Sequence, residues 1–115
     1  MASAYYRHYQ KRTEDGEDVT GYELVEGAKR VKIDARPDYE FFAYFEQRTW
    51  PNGTPKGVKT WWVCEAQTGC ALGTGRFKKA AVQDANDRIK SKTSEFFVGV
   101  IEGTISTLGK SPAYA

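Results

Sequence analysis

A chain of 115 residues with 40% hydrophobic, 28% charged and 14% aromatic side chains fits one folded domain, large enough to bury a core without a metal or disulfide staples. No apolar run approaches the roughly 18 to 20 residues of a membrane span, and the start MASAYYRHYQ lacks the apolar core of a signal peptide. The expectation is a cytoplasmic monomer or small homo-oligomer with no membrane partner. The net charge of +2 hides an asymmetry: every ionisable side chain in 13–26 is acidic, whereas 56–92 carries eight basic residues against three acidic ones.

Residues 1–20 have weak periodicity and read as a flexible or loosely docked arm, with at most one short helix. Residues 21–115 then form a single α+β domain. A short strand is expected at 22–25. Another falls at 30–35, where Val31, Ile33 and Ala35 alternate with charged neighbours until Pro37 ends the run. Residues 39–48 place Phe41, Ala43 and Phe45 on one face and Phe42, Tyr44 and Glu46 on the other, so a central strand follows. The loop TWPNGTPKG breaks the pattern, with a turn at Asn52-Gly53.

Residues 59–66 form the next strand, with Trp61, Val63 and Glu65 opposite Trp62, Cys64 and Ala66. Thr68-Gly69 supplies a turn, and 70–73 return antiparallel. Thr74 reads as a helix N-cap, after which Phe77, Ala81, Ala85 and Ile89 recur at four-residue spacing over a helix at 75–91. From Ser94, the stripe Phe97, Ile101, Ile105 and Leu108 ends at Gly109 and Pro112; helix is favoured there over strand. Gly99 and Gly103 on that segment would allow close approach of another element. The fold expected is an antiparallel sheet of three to five strands with one face covered by one or two C-terminal helices.

Chemistry is sparser. Cys64 and Cys70 suit neither a hairpin disulfide nor, with the single distant His8, a four-ligand metal site, so no metal or cofactor is expected. His8 and the scattered hydroxyls and carboxylates make no catalytic constellation, and the expectation is a protein that is not an enzyme. Asp84 and Asp87 can satisfy Arg88 along the helix. Gly73-Thr74-Gly75-Arg76 before Lys78 and Lys79 offers the parts of an anion site, although two glycines there equally make a plain strand-to-helix turn. Trp61-Trp62 must send one indole to each face of the strand. The outward one, with Phe42, Tyr44 and Lys59, would form a platform for stacking on bases or a protein hot spot unless the amino-terminal arm covers it.

The segment WWVCEAQTGCALGTGRFKKAAVQDANDRI, through its Thr68-Gly69 turn, its Gly73 and Gly75 pair and its Lys78-Lys79-Ala80-Ala81 helix start, resembles many small phage and prophage proteins, a class that includes anti-CRISPR inhibitors. That resemblance implies a non-enzymatic inhibitor of host defence acting in the host cytoplasm. The class shares no motif that assigns residues; the charge pattern and the exposed aromatic suggest that such a protein would bind a host protein or ribonucleoprotein complex through Glu14, Asp15, Glu17, Asp18 and the outward one of Trp61 and Trp62. The other expectation is a nucleic-acid-binding module that uses the sheet together with Lys59, Arg76, Lys78 and Lys79.

Overall fold

The computed structural model describes residues 4–47, 50, 52 and 54–114. Strands β1 (Tyr6–Arg12) and β2 (Asp18–Leu24) form a two-stranded antiparallel sheet. Strands β3 (Lys29–Val31), β4 (Phe41–Glu46), β5 (Thr60–Glu65) and β6 (Ala71–Gly75) form a four-stranded antiparallel meander in that order, followed by helices α1 (Lys78–Lys90) and α2 (Ser94–Leu108). The architecture is α+β, with both helices on one face of the meander.

Twofold alternation in the central strands builds two cores. Phe41, Ala43 and Val63 face the helices and bury against Ile33, Ala81, Ala85, Ile89, Phe97 and Ile101. Phe42, Tyr44, Cys64 and Ala66 face the other way and are covered by Tyr5 and Tyr114, from near the two ends of the chain, and by Val25 and Ala28, between β2 and β3. Burying each of the two phenylalanines contributes about 1.5–3 kcal/mol. Helix α1 rides very close to β6, since a Cβ added at Gly73 would lie 2.5 Å from the Ala85 nitrogen and 2.6 Å from the Ala81 oxygen. Helix α2 starts on a Thr93 cap whose hydroxyl accepts from the Phe96 N–H, and it seats Phe97 edge-on against Tyr39 at 5.0 Å. The Arg36 guanidinium lies over both rings.

The amino-terminal segment is a hairpin where its weak periodicity suggests at most a short helix. Gly16, at φ +82°, turns the chain with the backbone pairs Thr13–Glu17 and Gly16–Thr13, so the local turn rather than an apolar pattern sets this register. Its root is docked: the Tyr5 ring stacks on Phe42 at 4.9 Å and its hydroxyl donates to Glu40 at 2.5 Å. Tyr114 donates to the other oxygen of the same carboxylate at 2.6 Å. The anchor is the turn after β5. There the buried Glu65 carboxylate accepts from the Gln67 and Thr68 N–H groups at 3.0 Å each, the His8 N–H donates to the Gly69 oxygen, and the Ser111 N–H donates to the Gln67 oxygen. Gly69 is doubly required, at φ +64° and with space for a Cβ closed off 2.5 Å away by the Tyr6 oxygen.

Several boundaries differ from expectation. β3 keeps only three residues, because the chain turns at 33–36 and Ile33 reaches the core from that turn. β4 ends at Glu46; the expected end at Arg48, and Pro51 and Gly53 of the loop, lie outside the described residues. β6 extends to Gly75, so Thr74 is a strand residue whose N–H donates to Asp84 at 3.0 Å, and the N-cap is Phe77 without a side-chain cap. Gly99 and Gly103 approach nothing within 4 Å, since α2 buries the opposite stripe. Among the described residues no helix is long and apolar enough to cross a membrane.

Candidate aromatic and basic corner

Three segments meet at the end of the sheet where β4 finishes, β5 begins and β6 passes into α1. Phe45, Trp61 and Gly75 are consecutive cross-strand partners. The Thr60 hydroxyl donates to the Gly75 oxygen at 2.7 Å, tying the start of β5 to the end of β6. Gly75 lets the first turn of α1 sit on the strand, since a Cβ there would lie 2.7 Å from the Ala81 nitrogen. The two glycines therefore serve helix–strand packing, and the anion-cradle reading of the Gly73–Gly75 run gives way to that role.

The side chains presented at this corner are aromatic and cationic. Phe45 and Trp61 lie with ring centroids 5.4 Å apart, and the Lys59 ammonium sits 4.9 Å above the Phe45 ring. Phe45 is 44% exposed and Phe77, just past β6, is 73% exposed. Phe77 leaves the apolar stripe because α1 begins one residue after it, so its side chain belongs to the extended entry segment and not to the buried helix face. Arg76, Lys78 and Lys79 flank it in sequence, all exposed and in no ion pair among the described residues. The first turn of α1 holds no acidic residue and no side chain caps it, so the positive end of the helix dipole adds to the cations. Farther along α1, Asp84 pairs with Arg88 at 3.1 Å, while Asp87 accepts from Gln83 instead.

The platform expected from Phe42 and Tyr44 is absent, because both are buried beneath the root of the hairpin and the C-terminal segment. Neither tryptophan is fully outward. Trp61 is half-buried on the helix side and Trp62 half-buried on the hairpin side. Phe45 and Phe77 are exposed aromatics that strand and helix periodicity place on buried faces; the one signal in the sequence is Phe77 lying between Arg76 and Lys78-Lys79.

The acidic residues Glu14, Asp15, Glu17 and Asp18 cluster at the β1–β2 turn and are all exposed. Asp18 pairs with Arg12 at 3.1 Å across the hairpin, whereas Glu14, Asp15 and Glu17 form no ion pair among the described residues. At the hairpin root, Arg7 is held by both Glu23 and Glu46.

Cys64 is buried and in no disulfide, and the half-buried Cys70 sulfur lies 3.8 Å from the Thr104 hydroxyl. His8 meets Tyr22 edge-on. Among the described residues, no group of three or more His, Cys, Asp or Glu is arranged to hold a metal ion. Comparison with protein-family models, curated proteins and solved structures finds no match to this chain.

Proposed function

We propose that the protein acts by binding, and that its working surface is the aromatic and basic corner, which holds single-stranded nucleic acid. The observation that carries this is two phenylalanines left 44% and 73% exposed among Lys59, Arg76, Lys78 and Lys79. Rings this exposed add little to the core, but they stack on unpaired bases for about 1–3 kcal/mol per base, while the cations track phosphates. Duplex DNA hides its base faces and offers such rings no partner.

The test is fluorescence anisotropy of a labelled oligothymidine and of its duplex with oligoadenosine, over a range of salt. Single strands should bind more tightly than duplex, and Phe45→Ala with Phe77→Ala should weaken that preference by about tenfold or more. Lys78→Glu with Lys79→Glu should flatten the dependence of log affinity on log salt by about 1.4, the loss of two phosphate contacts. No binding of either probe at low salt refutes the reading.

A second reading is favoured by the position of the acidic residues. Glu14, Asp15 and Glu17 fall together on the exposed turn of a hairpin, a shape suited to entering a basic groove of a host protein or ribonucleoprotein complex, as the phage-inhibitor resemblance implies. Reversing Glu14, Asp15, Glu17 and Asp18 to lysine should then slow association with a basic target and leave oligothymidine binding intact or strengthened. Equal association rates across salt would eliminate it.

A further inference from the structure

Along the hairpin, β1 has a second edge. The end pairs Val25 N–H to Tyr5 oxygen and Thr13 N–H to Glu17 oxygen fix the parity of the ladder, so that Arg7, Tyr9 and Lys11 bond to β2 while Tyr6, His8, Gln10 and Arg12 turn their backbone groups away from it. The His8 N–H uses this outer edge once, donating to the Gly69 oxygen. Beyond that bond, the His8 carbonyl and the N–H and carbonyl groups of Gln10 and Arg12 have no partner among the described residues. They repeat every two residues, about 6.8 Å apart, the spacing an extended strand answers.

This edge is exposed from Gln10 to Arg12. It forms one wall of a cleft of about 710 Å³ lined by β1 residue after residue from Arg7 to Arg12, a run of consecutive positions that a strand presents only edge-on. Tyr44, Cys64 and Trp50 are among the residues that line the rest, together with polar Glu46 and Gln47. The cleft holds three cations, Arg7, Lys11 and Arg12, against Glu23 and Glu46. Arg7 is already engaged by both carboxylates and Arg12 by Asp18, so Lys11, lying over the Tyr9 ring, is the cation left for a ligand.

We infer that this cleft binds an extended peptide segment of a partner protein, which adds to β1 as a third strand of the hairpin sheet. Unpaired donors and acceptors in a row supply main-chain bonds that any sequence can make, and the cleft supplies selection. Side chains directed inward meet Tyr44, Cys64 and Trp50 and favour apolar residues. An acidic residue placed opposite Lys11 is favoured by charge. This site stands apart from the aromatic and basic corner and does not depend on it.

The test exploits the parity of the ladder. The Gln10 N–H points away from β2, so Gln10→Pro removes an edge donor and blocks strand addition without removing a bond of the hairpin, whereas Gln10→Ala leaves the edge complete. A displayed library of random peptides about eight residues long is selected on the full-length parent protein, and enriched peptides are synthesised and titrated. Alternating apolar and acidic sequences should emerge, with affinity unchanged by Gln10→Ala and weakened about tenfold or more by Gln10→Pro, the loss of one bonded edge group. Hydrogen exchange on the parent gives the same answer independently of how the proline variant folds: the Gln10 and Arg12 amides should become protected when peptide binds. No enriched peptide, equal binding to the proline variant, or unprotected Gln10 and Arg12 amides overturns the inference. So does a parent dimer that Gln10→Pro makes monomeric, since the edge would then pair with a second copy.

Discussion

Gly73→Ala is expected to destabilise the protein while Gly99→Ala and Gly103→Ala stabilise it, although all three make the same chemical change. At Gly73 the new methyl would lie 2.5 Å from the Ala85 nitrogen, 2.6 Å from the Ala81 oxygen and 2.8 Å from the Ala85 Cβ. Normal contact is about 3.5 Å, so α1 must lift by roughly 1 Å from β6. Two of the opposing atoms are backbone, and no side-chain rotation relieves them. Overpacking of this kind costs about 1–3 kcal/mol. At Gly99 and Gly103 a methyl meets nothing within 4 Å, and each sits inside α2. There the gain in helix propensity is about 0.8–1 kcal/mol per site.

With 115 residues and roughly 2.1 cal/mol/K of unfolding entropy per residue, the slope is about 0.24 kcal/mol per degree. Gly73→Ala should therefore melt about 4–12 °C below the parent, and the double α2 variant about 7–8 °C above it. Differential scanning calorimetry reads both. A Gly73→Ala protein melting at or above the parent would refute the seating of α1 on β6, and an unstable double variant would refute the open outer face of α2.

Burial holds the Glu65 carboxyl at about 7, above its ordinary value, despite the hydrogen bonds it accepts from Thr68 and Gln67. The folded state therefore favours the protonated form, and the stability this gives is present below about pH 4.5 and lost as pH rises through about 7, a difference on the order of 3 kcal/mol. Urea midpoints should fall over that window for the parent and change less for Glu65→Gln; parallel profiles contradict the assignment. Tyr5→Phe and Tyr114→Phe should each cost about 1–2 kcal/mol by removing a donor to the Glu40 carboxylate, and the double variant should depart from additivity. Strict additivity in chemical denaturation would show that the two tyrosines do not share that carboxylate. Ala85→Asp places an unpaired carboxylate in the helix-side core and should cost more than about 3 kcal/mol, so a parent-like melting temperature would overturn the core assignment.

The meander and helices were legible because their residues alternate at strand or helix period where one face is buried. Phe41 to Tyr44, Trp61 to Cys64, and Ala81, Ala85 and Ile89 all fall on the faces their spacing assigns. The hairpin was not legible, because its strands are largely exposed and are held by a glycine turn and by a handful of contacts at one end, chiefly Tyr5 on Phe42 and Glu40 and His8 on Gly69. Those contacts join residues distant in sequence and leave no period. Phe77 departs from its pattern for a related reason: it continues the four-residue spacing of α1 by one step, but the helix stops short of it. The cations of the corner were visible in the sequence. Their aromatic neighbour Phe45 was assigned to the correct face of β4, and only the extent of the helix layer decides that its ring stays exposed.

Binding of single-stranded nucleic acid at the corner where β4, β5 and α1 meet can be read residue by residue from ¹H–¹⁵N chemical-shift mapping of the labelled protein titrated with oligothymidine at low salt. Saturable shifts should appear at Phe45, Lys59, Trp61 and residues 75–79, including the Trp61 indole N–H, and reverse when salt is raised. Shifts confined to the β1–β2 turn, or none at any ratio of oligonucleotide to protein, would contradict binding at the corner.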